Sequence, residues 1–263
     1  MTERMMQFVL EGRGKEGGEV SSTHILKINL TVQNGREITM YSPIKMPRAT
    51  KYGNNYWVSN SYKIKRPVEL YSDLENDHHL FVECDPDIAD FCEQPLKMEF
   101  EVDGKIRTSI IDMWVKYRDG REEFREIKYE SLLQEDDPKY FDTMRQIQIQ
   151  KSWCEERGII HRVITDKDLR DNQTLLDNYR LIAAFARSFD TLQSDVIEAV
   201  TKKLLEKESM TVGELIIYFN NLEPSEVQTT VAYLVYHGIA TANLEKYFFG
   251  NRTELDINES YFF

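Results

Sequence analysis

The spacing of hydrophobic and polar positions changes period several times along the chain, and each change marks an element. Ser72-Asp73-Leu74-Glu75 is a capping-box pattern, so a helix is predicted over 72–84, ended by Asp85-Pro86. Alternating segments follow. A strand over 96–102 meets the turn signal Asp103-Gly104, a long strand over 105–117 meets Asp119-Gly120, and a third strand covers 123–129. Asp136-Asp137-Pro138 opens a helix that reaches Arg157 and stops at Gly158. A short apolar strand over 159–165 and a helix over 175–188 complete this part. The pattern predicts a mixed α/β core of three antiparallel strands, with a fourth entering through a helical crossover.

After residue 188 the pattern becomes mainly helical. Helices are predicted over 191–208, from Thr211 and from Pro224, followed by a hairpin from Tyr247 to Leu255. Three helices and a hairpin predict a winged helix over 189–263, beside a larger domain over 1–188. Residues 1–36 are an N-terminal extension. Gly12, Gly14 and Gly17 fit GxGxxG, but they lead into EVSSTHILKINLTV, which reads as a strand. A dinucleotide site needs a helix there, so a turn is expected instead.

Strand periodicity also places the candidate chemistry. Asp112 lies inside Ile-Ile-Asp-Met-Trp-Val, sharing a predicted strand face with Ile106, Thr108, Ile110 and Trp114. A buried acid is costly without a partner or a metal. On the next strand Glu126 and Lys128 point one way and Ile127 the other, so Asp112, Glu126 and Lys128 are expected side by side. Two carboxylates and an ammonium form a hard-oxygen cation site, suited to Mg²⁺ (or Mn²⁺) and to phosphodiester hydrolysis. Glu75 is the candidate third carboxylate, and the Ile127 carbonyl is a further candidate ligand. Glu75 also has a plainer reading as the acid of the helix cap, compatible with the first.

Charge adds a division. The formal net charge is −12, unlike an ordinary nucleic-acid protein, yet residues 38–68 contain no Asp or Glu. That stretch carries Lys45, Arg48, Lys51, Lys63, Lys65 and Arg66 interleaved with tyrosines and Trp57, and is the expected DNA-backbone contact. From 189 onward, 12 acids face 5 bases, a balance of −7, which points to a different partner. His78 and His79 are adjacent on a helix and cannot share one ion, so they are read as surface or packing residues. Three cysteines without a CxxC pair signal neither a zinc site nor a disulfide framework, and Cys84 and Cys92 are read as buried, inert thiols. No apolar run spans a bilayer and no signal sequence is evident, so a cytoplasmic protein without membrane contact is expected.

Asp112, followed by Glu126-Ile127-Lys128, resembles the D…(D/E)xK motif of restriction-endonuclease-like nucleases. The surroundings Ser72-Asp-Leu-Glu75, 87–95, Ser109-Ile-Ile-Asp112, Ile127-Lys128 and Thr165-Asp-Lys167 are similar to the TnsA family of transposon-end endonucleases. The likeness covers roughly residues 60–188 well and the C-terminal part loosely. Some members carry Gln where this chain has Glu126. The resemblance implies a restriction-endonuclease-like mixed sheet flanked by helices, with Glu75, Asp112, Glu126 and Lys128 as the catalytic set. It also implies an Mg²⁺-dependent subunit of a heteromeric transposase that nicks double-stranded DNA at the 5′ transposon ends. An integrase-like transposase subunit would be one partner, and an AAA+ ATPase regulator, docked by the C-terminal region, another. The alternatives are a stand-alone restriction or repair nuclease of the same fold, or a non-catalytic DNA-binding adaptor.

Overall fold

The computed structural model describes residues 4–11, 23–30, 41–46, 55–102, 105–207 and 209–261. The chain forms two compact units. One gathers residues 1–38, 188–243 and 250–263, and the other gathers 39–187 with 244–249. The sequence pattern changes at the same place, near residue 188.

In chain order, β1 (Arg4–Glu11) and β2 (Thr23–Leu30) pair antiparallel. The glycines between them lie outside the described residues. The larger unit begins with a hairpin of β3 (Trp57–Ser61) and β4 (Arg66–Leu70), which the sequence pattern did not reveal. Helix α1 (Asp73–Cys84) follows, with Ser72 at its N-cap accepting the Glu75 N–H. Next come β5 (Ile88–Glu93), β6 (Lys97–Val102), β7 (Lys105–Ile110), β8 (Met113–Tyr117) and β9 (Glu122–Lys128). Helix α2 (Tyr140–Glu155) carries the chain across to β10 (Ile160–Thr165), and α3 (Asp166–Arg170) and α4 (Gln173–Phe185) close the run.

The central sheet has the order β10-β9-β8-β5. β10 lies parallel to β9 and the other pairs are antiparallel, as a helical crossover requires. Alternation along the strands divides the core. Trp114 and Phe124 face α2, packing with Cys92, Ile111 and Cys154. Met113 and Val115 face the other way, with Val68, Leu70, Val82 and Phe91. Ile127 joins Leu74 of α1 and Leu169 of α3.

Two expectations are corrected here. The single strand over 105–117 is two strands: β7 pairs only with β6, whereas β8 pairs with β5 and β9. The chain bends at Ile111-Asp112, where the Asp112 carbonyl accepts the Gln94 N–H at 3.0 Å and Ile111 N donates to Leu96 O at 3.1 Å. These hydrogen bonds replace the ladder at the bend, so the face count from Ile106 does not carry through to Asp112. The sheet strand opposite β9 across β8 is β5, which the sequence pattern left hidden.

In the other unit, α5 (Ser194–Leu205), β11 (Met210–Thr211), α6 (Val212–Tyr218), α7 (Pro224–Tyr236), β12 (Ala240–Ala242) and β13 (Glu254–Ile257) follow in turn. The three strands form an antiparallel sheet of order β11-β13-β12. Thr211 and Glu214 make a reciprocal capping box for α6. The predicted hairpin moves: its strands are β12 and β13, and Tyr247 and its neighbours form the connection. Among the described residues, no helix is long and apolar enough to cross a membrane.

Candidate active site

β9 supplies the centre of the site, and its alternation explains why. Phe124, Glu126 and Lys128 face α2, while Glu123, Arg125 and Ile127 face α1. Glu126 is fully buried. Its Oε1 accepts Lys128 Nζ at 2.5 Å and Gln146 Nε2 at 2.8 Å, and its Oε2 accepts Gln150 Nε2 at 2.7 Å. Asp112 arrives from the bend after β7, not from a strand face. Its Oδ2 accepts the backbone N–H of Ile127 at 2.7 Å.

Glu75 sits in the first turn of α1. Its carboxylate accepts Ser72 Oγ at 3.1 Å, the Tyr71 N–H at 3.1 Å and Gln94 Nε2 at 3.2 Å. The helix-cap role therefore holds, with Tyr71 in place of the cap's own N–H. Gln94 joins the two sides of the site, because its side chain meets Glu75 and its backbone N–H meets the Asp112 carbonyl. It does so at φ 39°, a left-handed conformation that a non-glycine residue keeps only when its surroundings enforce it.

The four expected residues also sense one another electrostatically. Burial, and then the Asp112 charge, pushes the Glu126 carboxyl up to about 8. The same two causes push Glu75 up to about 7. Burial raises Asp112 as well, against the pull of Lys128, the Ile127 N–H and a hydrogen bond with Glu126. For Lys128, burial works downward, but Glu126 and then Asp112 outweigh it and hold the ammonium above its ordinary value. Three carboxylates thus face one ammonium, and the cost of that crowding is visible in the raised values. Such a donor set fits a hard divalent cation, which would offset the excess charge. Among the described residues, no three Asp, Glu, His or Cys side chains converge as they stand to ligate one ion. Each carboxylate is held by protein donors instead.

The expected DNA-contact residues divide. Arg48 and Lys51 lie outside the described residues. Lys45 and Lys65 are exposed, and the Lys65 ammonium stands 3.1 Å from the Tyr62 ring centroid. Lys63 and Arg66 instead have partners within the fold. Lys63 Nζ donates to the carbonyls of Asp85 (2.5 Å) and Ile88 (2.8 Å), and burial pulls it down to about 8. Arg66 forms a two-pronged pair with the buried Glu93 at 2.6 and 2.7 Å. Both cations hold the hairpin and the sheet together.

The histidine and cysteine readings hold. His78 and His79 are buried, and His78 Nε2 meets the Arg125 guanidinium at 3.2 Å. Because Arg125 only donates, that nitrogen accepts. The Cys84 and Cys92 thiols are buried and raised by that burial, Cys92 to about 12. Two residues at Glu126 that the sequence pattern did not single out are Gln146 and Gln150. Their signal was available: two amides four residues apart on one face of a helix leading away from Glu126.

No curated protein matches this chain. Residues 85–166, from the end of α1 through β10 into α3, match the family described as TnsA-like endonuclease N terminal. That segment contains Asp112, Glu126 and Lys128, and over it the chain is similar to the TnsA-like endonucleases.

Proposed function

We propose that this protein is the Mg²⁺-dependent endonuclease subunit of a heteromeric transposase, nicking DNA at the 5′ transposon ends. The observation that carries the reading is the grouping of Asp112, Glu126 and Lys128 within the family-matched segment, with Glu75 brought to them by the cap of α1. Glu75, Asp112, Glu126 and the Ile127 carbonyl would hold the metal, with Mn²⁺ as a substitute. When bound, the cation would polarise the scissile phosphate and acidify a water. Lys128 supplies a fixed positive charge beside Glu126 and would steady charge developing on the phosphate oxygens. The Ile127 N–H fixes Asp112, and Gln94 fixes Glu75 against it, so the acids are oriented before substrate arrives. Lys45 and Lys65, both exposed, support contact with the DNA backbone.

The helix–strand–helix–helix–strand–strand order of the second unit, with its β11-β13-β12 sheet, supports a winged-helix reading. Helix α7, which would be the recognition helix, contains no Lys or Arg. With the acidic balance of this region, that favours a protein partner over DNA. An AAA+ ATPase regulator is the partner proposed, alongside an integrase-like transposase subunit at the catalytic step. The test is a strand-specific nicking assay on end-containing DNA, with the partner proteins and Mg²⁺ supplied. Cuts on the 5′ strands that vanish in the Asp112→Asn protein support the reading, and unchanged cuts in that variant exclude it.

A further inference from the structure

The face of α2 that meets β9 carries a second layer of polar contacts behind the acids. Gln146 Nε2 donates to Glu126 Oε1 and also to Ser109 Oγ at 3.1 Å. Gln150 Nε2 donates to Glu126 Oε2 and to Ser109 Oγ at 3.0 Å. On the far side of the second amide, His161 Nε2 lies 3.0 Å from Gln150 Oε1. Since both Gln150 Nε2 protons go to oxygen acceptors, Oε1 accepts and His161 must donate through Nε2. Burial holds His161 below its ordinary value, which keeps the ring neutral with its proton on that nitrogen. The imidazole of β10 therefore sets which way the Gln150 amide points. Ser109 at the end of β7 ties both glutamines to the strand that leads into Asp112.

We propose that Gln146 and Gln150 are positioning residues for the Glu126 carboxylate, held in place by Ser109 and His161. The inference rests on the nuclease reading above. The chemistry of the side chains argues for more than filling a core. A carboxylate has about four acceptor sites. Lys128, Gln146 and Gln150 take three, and the hydrogen bond with Asp112 meets the carboxyl as well. Two neutral amides orient the group without cancelling its charge, whereas an Arg or a second Lys would cancel it. The carboxyl group thus cannot turn, and a cation that displaced its proton would meet it already oriented.

The test uses the full chain with Gln146→Met and Gln150→Met, which keep length and remove the donors. Gln148→Met is the control, since Gln148 is exposed on the same helix and bonds Ser152. Three quantities are read: Mn²⁺ affinity by calorimetry without DNA, kcat and KM for nicking, and the melting temperature. Each glutamine variant should lose about 10- to 100-fold in kcat and in Mn²⁺ affinity with KM for DNA unchanged, while Gln148→Met matches wild type. Should a glutamine variant not fold, His161→Ala frees the Gln150 amide to rotate and should lower kcat with KM unchanged. Folded variants that bind Mn²⁺ and cleave like an active wild type overturn the inference alone. A wild type that neither binds Mn²⁺ nor cleaves overturns the nuclease reading, and this inference falls with it.

Discussion

The carboxylate of Asp112 accepts the backbone N–H of Ile127 at 2.7 Å, so the first acid of the motif is bonded to the middle residue of the Glu-Ile-Lys triplet. This hydrogen bond fixes the bend after β7 against β9 and sets Asp112 beside Glu126. It also separates two roles of one side chain: an acceptor that holds the bend and, in the proposed function, a charge that would serve the chemistry. Asparagine keeps the first and removes the second. Asp112→Asn should therefore abolish cleavage while leaving the melting temperature close to wild type. Asp112→Ala should abolish cleavage and also cost about 1–3 kcal/mol, the usual penalty for an unsatisfied buried N–H. Chemical denaturation beside a nicking assay distinguishes the two variants.

Lys63 and Arg66 should behave as structural cations. Arg66→Ala leaves Glu93 buried without its partner, and a loss of about 3 kcal/mol is expected. DNA binding by such a variant, measured below its melting point, should keep the wild-type dependence on salt. In contrast, Lys45→Gln with Lys65→Gln should lower the slope of log affinity against log salt by up to about 1.8, near 0.9 for each phosphate left without its cation. A salt titration of wild type and both variants decides between the two roles.

Without divalent cations, stability should fall as pH rises from 6.5 to 8. Glu126 and Glu75 have folded-state values raised to about 8 and about 7, so the native state keeps protons that the unfolded chain has released. Their contribution is complete below the ordinary carboxylate value and is lost as pH climbs through the raised ones. His78, His79 and His161, each lowered by burial, act in the opposite sense only below about 6.5. Lys63 is lowered to about 8 and adds stability only above that pH. The loss between 6.5 and 8 should be on the order of 1 kcal/mol. Glu126→Gln should flatten it, which urea denaturation in EDTA would show; an equal slope in wild type and variant would contradict the assignment.

The loop 244–249 should depend on one buried asparagine. Asn178 of α4 donates to the carbonyls of Leu244 (2.7 Å) and Tyr247 (2.8 Å) and accepts the Phe249 N–H at 2.8 Å. Asn178→Ala leaves three backbone groups unpaired, and a cost of about 2–3 kcal/mol follows, with faster proteolysis inside the loop. The same hydrogen bonds argue against testing residues 189–263 as an isolated fragment, because the fragment lacks the partner that holds this loop.

Much of this was legible in the sequence, for physical reasons that can be named. The α1 start was readable because Ser72 and Glu75 carry the cap chemistry in their own side chains. Glu126 and Lys128 were placed on one face because β9 is a regular strand, where period two holds. Asp112 reached its neighbour despite a failed premise: the strand breaks before it, and a side-chain-to-backbone bond does what alternation was expected to do. β5 was hidden because its burial runs unevenly, with a register shift between Ile88 and Asp90. The fate of Lys63 and Arg66 was illegible because their partners, Asp85, Ile88 and Glu93, lie 22 to 27 positions away. A run of cations without acids resembles a phosphate-binding surface until the fold supplies the acids.

Asp112, Glu126 and Lys128, with Glu75, are proposed to form a phosphodiester-cleaving centre. The most direct measurement is Mg²⁺-dependent nicking of end-containing DNA by wild type and by folded Lys128→Ala protein, with identical partner proteins present. Cleavage by wild type is expected, with a loss of at least about 100-fold in the variant, of the size seen when a single charge-stabilising donor is removed. Near wild-type nicking by folded Lys128→Ala protein would contradict it.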